Sequence, residues 1–142
     1  MKYYSTNKQA PLASLEEAVV KGLAGDKGLY MPEHIRPLDK DTISGLKNKS
    51  FHEIACTAAQ AFFGEDIEPE TLDAIVRDTL SFETPVVPVR DNIYSLELFH
   101  GPTLAFKDVG GRFMARLLGY FIKKEGLKHL AASCMLIEAI GE

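Results

Sequence analysis

The chain has few cysteines, no tryptophan and no long apolar run, and each absence excludes a class of protein. Its 142 residues contain only Cys56 and Cys134, without CxxC spacing, so neither a disulfide framework nor a zinc site is expected. The four histidines are scattered as well, and we expect no metal. No stretch approaches the roughly 20 apolar residues that span a bilayer, and no secretory signal is recognisable at the start. We therefore expect a cytoplasmic protein.

Positive charge is also scarce, since the formal net charge is -4. Nucleic acid and anionic membrane surfaces are therefore not expected as partners, because both attract basic proteins. The hydrophobic content of 46% with 25% charged residues is ordinary for a globular protein with a sizeable core. The oligomeric state stays open.

Helix-start signals dominate the first half of the chain. Capping boxes at Ser14–Glu17 and Ser50–Glu53 predict two helices, and Pro69 opens another. A shorter helix is predicted from Asp41 to Leu46, and Gly25–Pro32 is interpreted as a turn followed by a short strand. A helical domain covering residues 1–82 is the prediction.

The composition changes at residue 82, where two prolines, Pro85 and Pro88, bracket a β-branched run. We place the domain boundary here and assign residues 83–142 to a second, incomplete domain. A strand is predicted at 93–99, a helix at about 107–124 and another strand at 127–131. This order is typical of a βαβ unit with a parallel sheet.

Lys107 is the strongest candidate for chemistry, because it is a lone lysine set among apolar residues just before a predicted helix. Those neighbours are Leu104, Ala105, Phe106 and Val109. An apolar setting disfavours the ammonium, lowers the pKa of the amine and makes it nucleophilic. Such an amine condenses with an aldehyde, and pyridoxal phosphate is the obvious aldehyde cofactor.

At helical spacing, Lys107 shares a face with Gly110 and Gly111, which leaves room there for a planar ring. The alternative for the paired glycines is close packing of the helix on a strand. Arg112 and Arg116 are interpreted as a solvated pair on the outward face.

Each of four residues near Lys107 in the sequence has both a functional and a structural interpretation. Phe106 packs against a cofactor or belongs to the core, and Asp108 contacts the cofactor or only the helix dipole. Thr103 donates to a phosphate or caps the turn. Histidine can exchange protons near neutral pH, which suits a catalytic role for His100, but no carboxylate partner is obvious. The alternative role is a hydrogen bond that stabilises the turn.

The segment Leu96–Asp108, which contains Glu-Leu-Phe-His-Gly-Pro-Thr-Leu-Ala-Phe-Lys-Asp, closely resembles the cofactor-lysine motif of the threonine synthase family. Gly28–Glu33 resembles the N-terminal domain of the same family, and the resemblance covers about residues 1–127. It implies an α/β fold in which a helical N-terminal domain precedes a fold-type-II, tryptophan-synthase-β-like parallel-sheet domain that binds pyridoxal phosphate. Here that second domain would be truncated.

The resemblance also implies a reaction, the conversion of O-phospho-L-homoserine and water to L-threonine and phosphate in threonine biosynthesis. The enzyme would be a pyridoxal-phosphate-dependent carbon–oxygen lyase. Lys107 would hold pyridoxal 5'-phosphate as a covalent aldimine and later move protons at Cα and Cβ of the substrate. Phe106, Asp108 and Thr103 would be the other cofactor-binding residues.

After Lys128 the chain departs from the family, which continues with a strand and a Ser-Gly-Asp-Thr-Gly loop. We therefore expect this chain by itself to be an inactive N-terminal fragment. Two alternatives stay open at this point. One is a related pyridoxal-phosphate enzyme such as a threonine or serine dehydratase, and the other is a non-catalytic helical interaction module.

Overall fold

The computed structural model describes residues 1–125. Contacts divide the chain into a first unit, Met1–Arg77, and a second unit that begins at Asp78. The boundary predicted at residue 82 stays a prediction. Helices and small sheets are mixed, and every strand pair within residues 1–125 is antiparallel. The predicted strand at 127–131 lies outside the described residues.

The first unit alternates short strands and helices. A two-stranded sheet pairs Tyr3 with Pro32 at one end and Ser5 with Tyr30 at the other. In chain order the elements are β1 Tyr3–Ser5, α1 Leu15–Lys21, β2 Tyr30–Pro32, α2 Lys40–Gly45, a 3-10 turn Leu46–Asn48, α3 Phe51–Phe63 and α4 Pro69–Thr79.

Both capping boxes form as predicted. The Ser14 side chain accepts a hydrogen bond from the backbone N–H of Glu17, and the Ser50 side chain accepts one from that of Glu53. Each glutamate side chain in turn accepts a hydrogen bond from the backbone N–H of its serine. These bonds satisfy backbone donors that a helix start leaves without partners. The helix starts of the first unit are therefore encoded locally.

α4 contributes three buried apolar residues, Leu72, Ile75 and Val76, to the core of the first unit. Leu72 is fully buried, and each such side chain contributes about 1.5–3 kcal/mol of burial free energy. The other buried apolar residues of this unit share that environment: Tyr3, Ala13, Leu15, Ala18, Val19, Ala24, Ala61, Ile67, Ile75 and Val76.

Asp26 joins the start of the chain to the turn before β2. Its carboxylate accepts from Ser5 Oγ at 2.6 Å and from the backbone N–H groups of Gln9, Ala10 and Gly28 at 2.9–3.0 Å. Chiefly the Ser5 bond, with help from these amides, lowers the pKa of Asp26 to about 2. This carboxylate therefore helps to hold the predicted turn at Gly25–Pro32 in place, together with backbone bonds such as that from Thr6 N to Leu29 O at 2.9 Å.

The second unit contains a hairpin and a long helix. β3 Val86–Arg90 pairs with β4 Ile93–Leu96, with an irregular register between Pro88 and Arg90. β4 ends three residues before the predicted strand end because the chain turns away after Glu97, whose N–H still reaches Pro85 O at 3.0 Å. α5 Lys107–Glu125 agrees with the predicted helix.

Two arginines of α5 are not simply solvated, so that expectation was wrong. Arg112 donates to the backbone carbonyls of Asp78 and Thr79 at 2.9 and 3.2 Å, and Arg116 pairs with the Asp78 carboxylate. Carbonyls at a helix C-terminus lack intrahelical donors, and cationic side chains satisfy them. Asp78 and Thr79, the last two residues of α4, belong to the second unit and are tied to α5 within it.

None of the helices within residues 1–125 has both the length and the apolar character that crossing a membrane requires.

Candidate functional site

The candidate site is the loop between β4 and α5, which ends at Lys107. Two backbone bonds fold it tightly, from Leu104 N to Gly101 O at 3.0 Å and from Asp108 N to Ala105 O at 3.1 Å. Leu104 adopts φ 54°, a left-handed conformation that costs a non-glycine residue about 1–2 kcal/mol. Strained residues of this kind persist where the surroundings hold them, and they cluster at functional sites.

Asp108 holds this loop closed. It is only 3% exposed, and its carboxylate accepts from Thr103 N at 2.9 Å and from Thr103 Oγ1 at 2.6 Å. The Thr103 hydroxyl is the main cause that lowers the pKa of Asp108, while burial opposes it. Two of the side chains expected from the sequence to contact the cofactor, Thr103 and Asp108, are therefore bonded to each other, and Asp108 does more than complement the helix dipole.

Gly101, together with Asp108 and Thr103, keeps this loop closed. A Cβ placed there would lie 2.5 Å from Asp108 Oδ2 and 2.8 Å from Asp108 Cβ. Only glycine lets the backbone approach the buried carboxylate this closely. The Gly-Pro-Thr segment is thus fitted to the aspartate that follows Lys107.

Lys107 is the first residue of α5, and it is exposed. The expected apolar enclosure is wrong for the described residues, since Leu104 and Phe106 are 76% and 73% exposed. The neighbours are apolar in sequence, but the loop turns their side chains outward. Desolvation of the amine therefore has no source among residues 1–125.

The helix surface beyond Lys107 is open, as predicted from the two glycines. A Cβ at Gly110 or Gly111 would meet nothing within 4 Å, so these glycines are not used for close packing among the described residues. Phe106 is exposed next to the lysine and does not belong to the core, which corrects the structural alternative. Together these residues fit one open wall for a planar aldehyde cofactor with a phosphate.

His100 has the carboxylate partner that sequence reasoning missed. Its Nε2 lies 2.8 Å from Glu97 Oε2, and the Phe99 ring lies 4.8 Å from the imidazole centroid. The signal was present as the three-residue spacing of glutamate and histidine, but a segment expected to be a strand would put the two side chains on opposite faces. Because β4 ends at Leu96, the two side chains come together.

The remaining candidate groups are plainly structural. Cys56 donates its thiol to Asp73 at 3.0 Å, and burial together with this carboxylate raises the pKa of Cys56 to about 11. Such a thiol is unreactive near neutral pH. Cys134 lies outside the described residues.

Comparisons with known proteins show which sequences and structures this chain resembles. The family model for the threonine synthase N terminus matches residues 2–80. Threonine synthase of Escherichia coli is 35% identical over 133 residues, which are 94% of this chain and 31% of that protein. Threonine synthase of Haemophilus influenzae is 41% identical over 118 residues, 83% of this chain and 27% of that protein.

Solved structures give the same result. A crystal structure of threonine synthase from Brucella melitensis with bound pyridoxal phosphate superposes with a TM-score of 0.82 at 37% identity. The match covers 89% of this chain and 28% of that one. The chain thus spans about three tenths of the length of the curated relatives it matches.

Proposed function

The chain belongs to the threonine synthase N-terminal family, and from this premise we propose that it supplies the N-terminal part of a threonine synthase. The whole enzyme would convert O-phospho-L-homoserine and water to L-threonine and phosphate in the cytoplasm. The dehydratase alternative has less support, because the relatives with high identity over most of the chain are named threonine synthases. In the proposed division, residues 1–82 form the helical domain and residues 83–142 begin the cofactor domain.

The observation that carries this proposal is the position of Lys107. The amine stands exposed at the first residue of α5, beside the open surface at Gly110 and Gly111. The preceding loop is held closed by a buried carboxylate. A reactive amine has to be held in a fixed position, and the closed loop before Lys107 provides that rigidity.

We assign the covalent attachment of pyridoxal phosphate to the Lys107 Nζ atom. When bound, that cofactor draws electrons away from the substrate Cα. Lys107, once released by the substrate amine, would remove the protons from Cα and then Cβ, so that phosphate leaves from Cγ. It would later return protons at Cγ and Cα, while the hydroxyl of water adds at Cβ and the remaining proton of the water goes to the phosphate. Phe106 would contact one face of the cofactor, and the Asp108–Thr103 pair would keep Lys107 in place.

This chain alone does not complete the site in our proposal. An amine takes up a proton from carbon only if it is neutral, and burial is what favours the neutral form of a lysine. The described residues leave Lys107 and its apolar neighbours exposed. We therefore assign the cover over Lys107, and most contacts to the cofactor phosphate and the substrate, to the part of the enzyme that this chain does not span.

A chimeric enzyme tests the proposal. Residues 1–125 would replace the matching N-terminal part of the Escherichia coli enzyme, and release of phosphate and threonine from O-phosphohomoserine would be measured. We expect activity that Lys107→Ala abolishes and that the matched variant Lys123→Ala, at the other end of α5, keeps. The isolated 142-residue chain should release neither product.

Three outcomes contradict the proposal. The first is a Lys107→Ala chimera that retains both turnover and the visible absorbance of lysine-bound cofactor. The second is a chimera that deaminates threonine or serine but leaves O-phosphohomoserine unchanged, which would favour the dehydratase. The third is full turnover by the isolated chain, which would refute the incomplete site.

A further inference from the structure

A pocket of about 520 Å³ lies in the first unit, between the segment that leads into α2 and the face of α3. This volume falls in the range of about 300–1,000 Å³ that is typical of small-molecule sites. Its charged lining consists of Arg36, Asp39, Lys49 and Glu65. None of these residues belongs to the Lys107 loop, so the pocket is independent of the proposed function.

The two carboxylates of the pocket are already satisfied inside the protein. Asp39 accepts from Thr42 N at 2.7 Å and from Thr42 Oγ1 at 2.8 Å. Glu65 lies 3.0 Å from His34 Nε2. These bonds are the main causes that lower the pKa of each carboxyl. Both carboxylates therefore stay ionised, and both already have hydrogen-bond partners within the protein.

The two cations have no such partners. Within residues 1–125 the Arg36 guanidinium makes no hydrogen bond or ion pair, while its backbone N–H is fixed to Ala61 O at 3.2 Å. Lys49 donates only to the neutral Thr57 hydroxyl at 3.3 Å. The nearby Glu53 is engaged by the Ser50 cap. Two positive charges thus line one pocket without a carboxylate bonded to either.

We propose that this pocket binds the phosphate group of a small molecule through Arg36 and Lys49. A guanidinium presents parallel N–H donors that match two oxygens of a phosphate, and an ammonium adds a compact charge. A phosphate carries close to two negative charges near neutral pH and several acceptor oxygens, so it can accept hydrogen bonds from both cations at once. The pocket also leaves space beyond a phosphate for an organic part of the ligand.

Titration of the 142-residue chain with inorganic phosphate tests the site, with chloride holding the ionic strength constant. We expect saturable amide shifts in NMR spectra at Ala61, Gly64 and their neighbours. Arg36→Gln and Lys49→Gln should each weaken binding about tenfold, because each removes charge-assisted hydrogen bonds. Lys47→Gln is the matched control: Lys47 is exposed, lies two residues from Lys49 and does not line the pocket, so affinity should not change.

Further titrations separate the sources of the anion. Tighter binding of O-phosphoserine than of phosphate, lost in the same two variants, identifies an organic phosphate as the ligand, and equal binding identifies free phosphate. Succinate binding as tightly as phosphate would overturn the proposal. Absence of saturable shifts would overturn it as well, and so would affinities that Arg36→Gln and Lys49→Gln leave unchanged.

Discussion

Replacing Gly101 with alanine tests whether the loop before Lys107 is held by Asp108. The added Cβ would lie 2.5 Å from Asp108 Oδ2, 2.8 Å from its Cβ and 2.9 Å from its Cγ. Ordinary contact begins at 3.4 Å, so the carboxylate has to move by about 0.9 Å. The 2.9 Å hydrogen bond from Thr103 N to this same oxygen cannot survive a displacement of that size away from Thr103.

Asp108 has little freedom to yield. It is 3% exposed, it lies in the first turn of α5, and both of its oxygens accept from Thr103. Overpacking a tight site costs about 1–3 kcal/mol, and we expect Gly101→Ala to lower the local opening free energy by this amount. Hydrogen exchange of the Thr103, Leu104 and Asp108 amides measures it, because these amides donate to the loop bonds.

Gly110→Ala is the matched control, because it is the same substitution in α5, three residues after Lys107. A Cβ there meets nothing within 4 Å, and alanine is favoured over glycine in a helix by about 0.5–1 kcal/mol. This variant should therefore raise protection. If Gly101→Ala leaves exchange at the loop unchanged or slows it as Gly110→Ala does, the close approach to Asp108 does not hold the loop.

Three further predictions concern the first unit. Leu72→Ala should lower the free energy of unfolding by about 2–5 kcal/mol in urea titrations, because Leu72 is fully buried. Gly28→Ala should lower the free energy of unfolding by about 1–3 kcal/mol, since the added Cβ would overlap Ser5 Oγ and lie 2.9 Å from Asn7 N. The Asp26 carboxyl should titrate near pH 2 by NMR, and its stabilising effect, complete above the ordinary value of about 3.9, should be lost as the pH falls from about 4 to 2.

Each of these has a control or a contradicting result. Gly45→Ala meets no atom within 4 Å, so it should be far milder than Gly28→Ala. A loss below about 1 kcal/mol for Leu72→Ala would mean that the Leu72 side chain is not closely packed in the core. An Asp26 pKa at or above 3.9 would mean that its four hydrogen bonds do not form in solution.

Helix starts and the candidate lysine could be predicted from the sequence because their signals are local. A capping box needs only two residues three positions apart, so Ser14 with Glu17 and Ser50 with Glu53 were sufficient to predict α1 and α3. Pro69 opened α4 for the same reason. The glycines beside Lys107 also follow from helical spacing, and the open surface there was correctly predicted.

Two of the errors concern the surroundings of a side chain. Apolar neighbours of Lys107 were expected to bury it, but Leu104 has φ 54° and points its side chain to solvent. Arg112 was expected to be solvated, but the end of α4 lies within its reach. Neither outcome could be predicted from local sequence, because each depends on how distant segments turn.

By itself, the amino-acid sequence determined the family, the order of most elements and the lysine on which the proposed chemistry depends, because these reside in contiguous residues. Only the tertiary structure decided that Asp108 locks the loop through Thr103 and Gly101, and that Glu97 meets His100. It also decided that Arg36 and Lys49 line one pocket without carboxylate partners. The physical reason is that burial and ion pairing depend on distances between residues separated along the chain, which a local pattern does not contain.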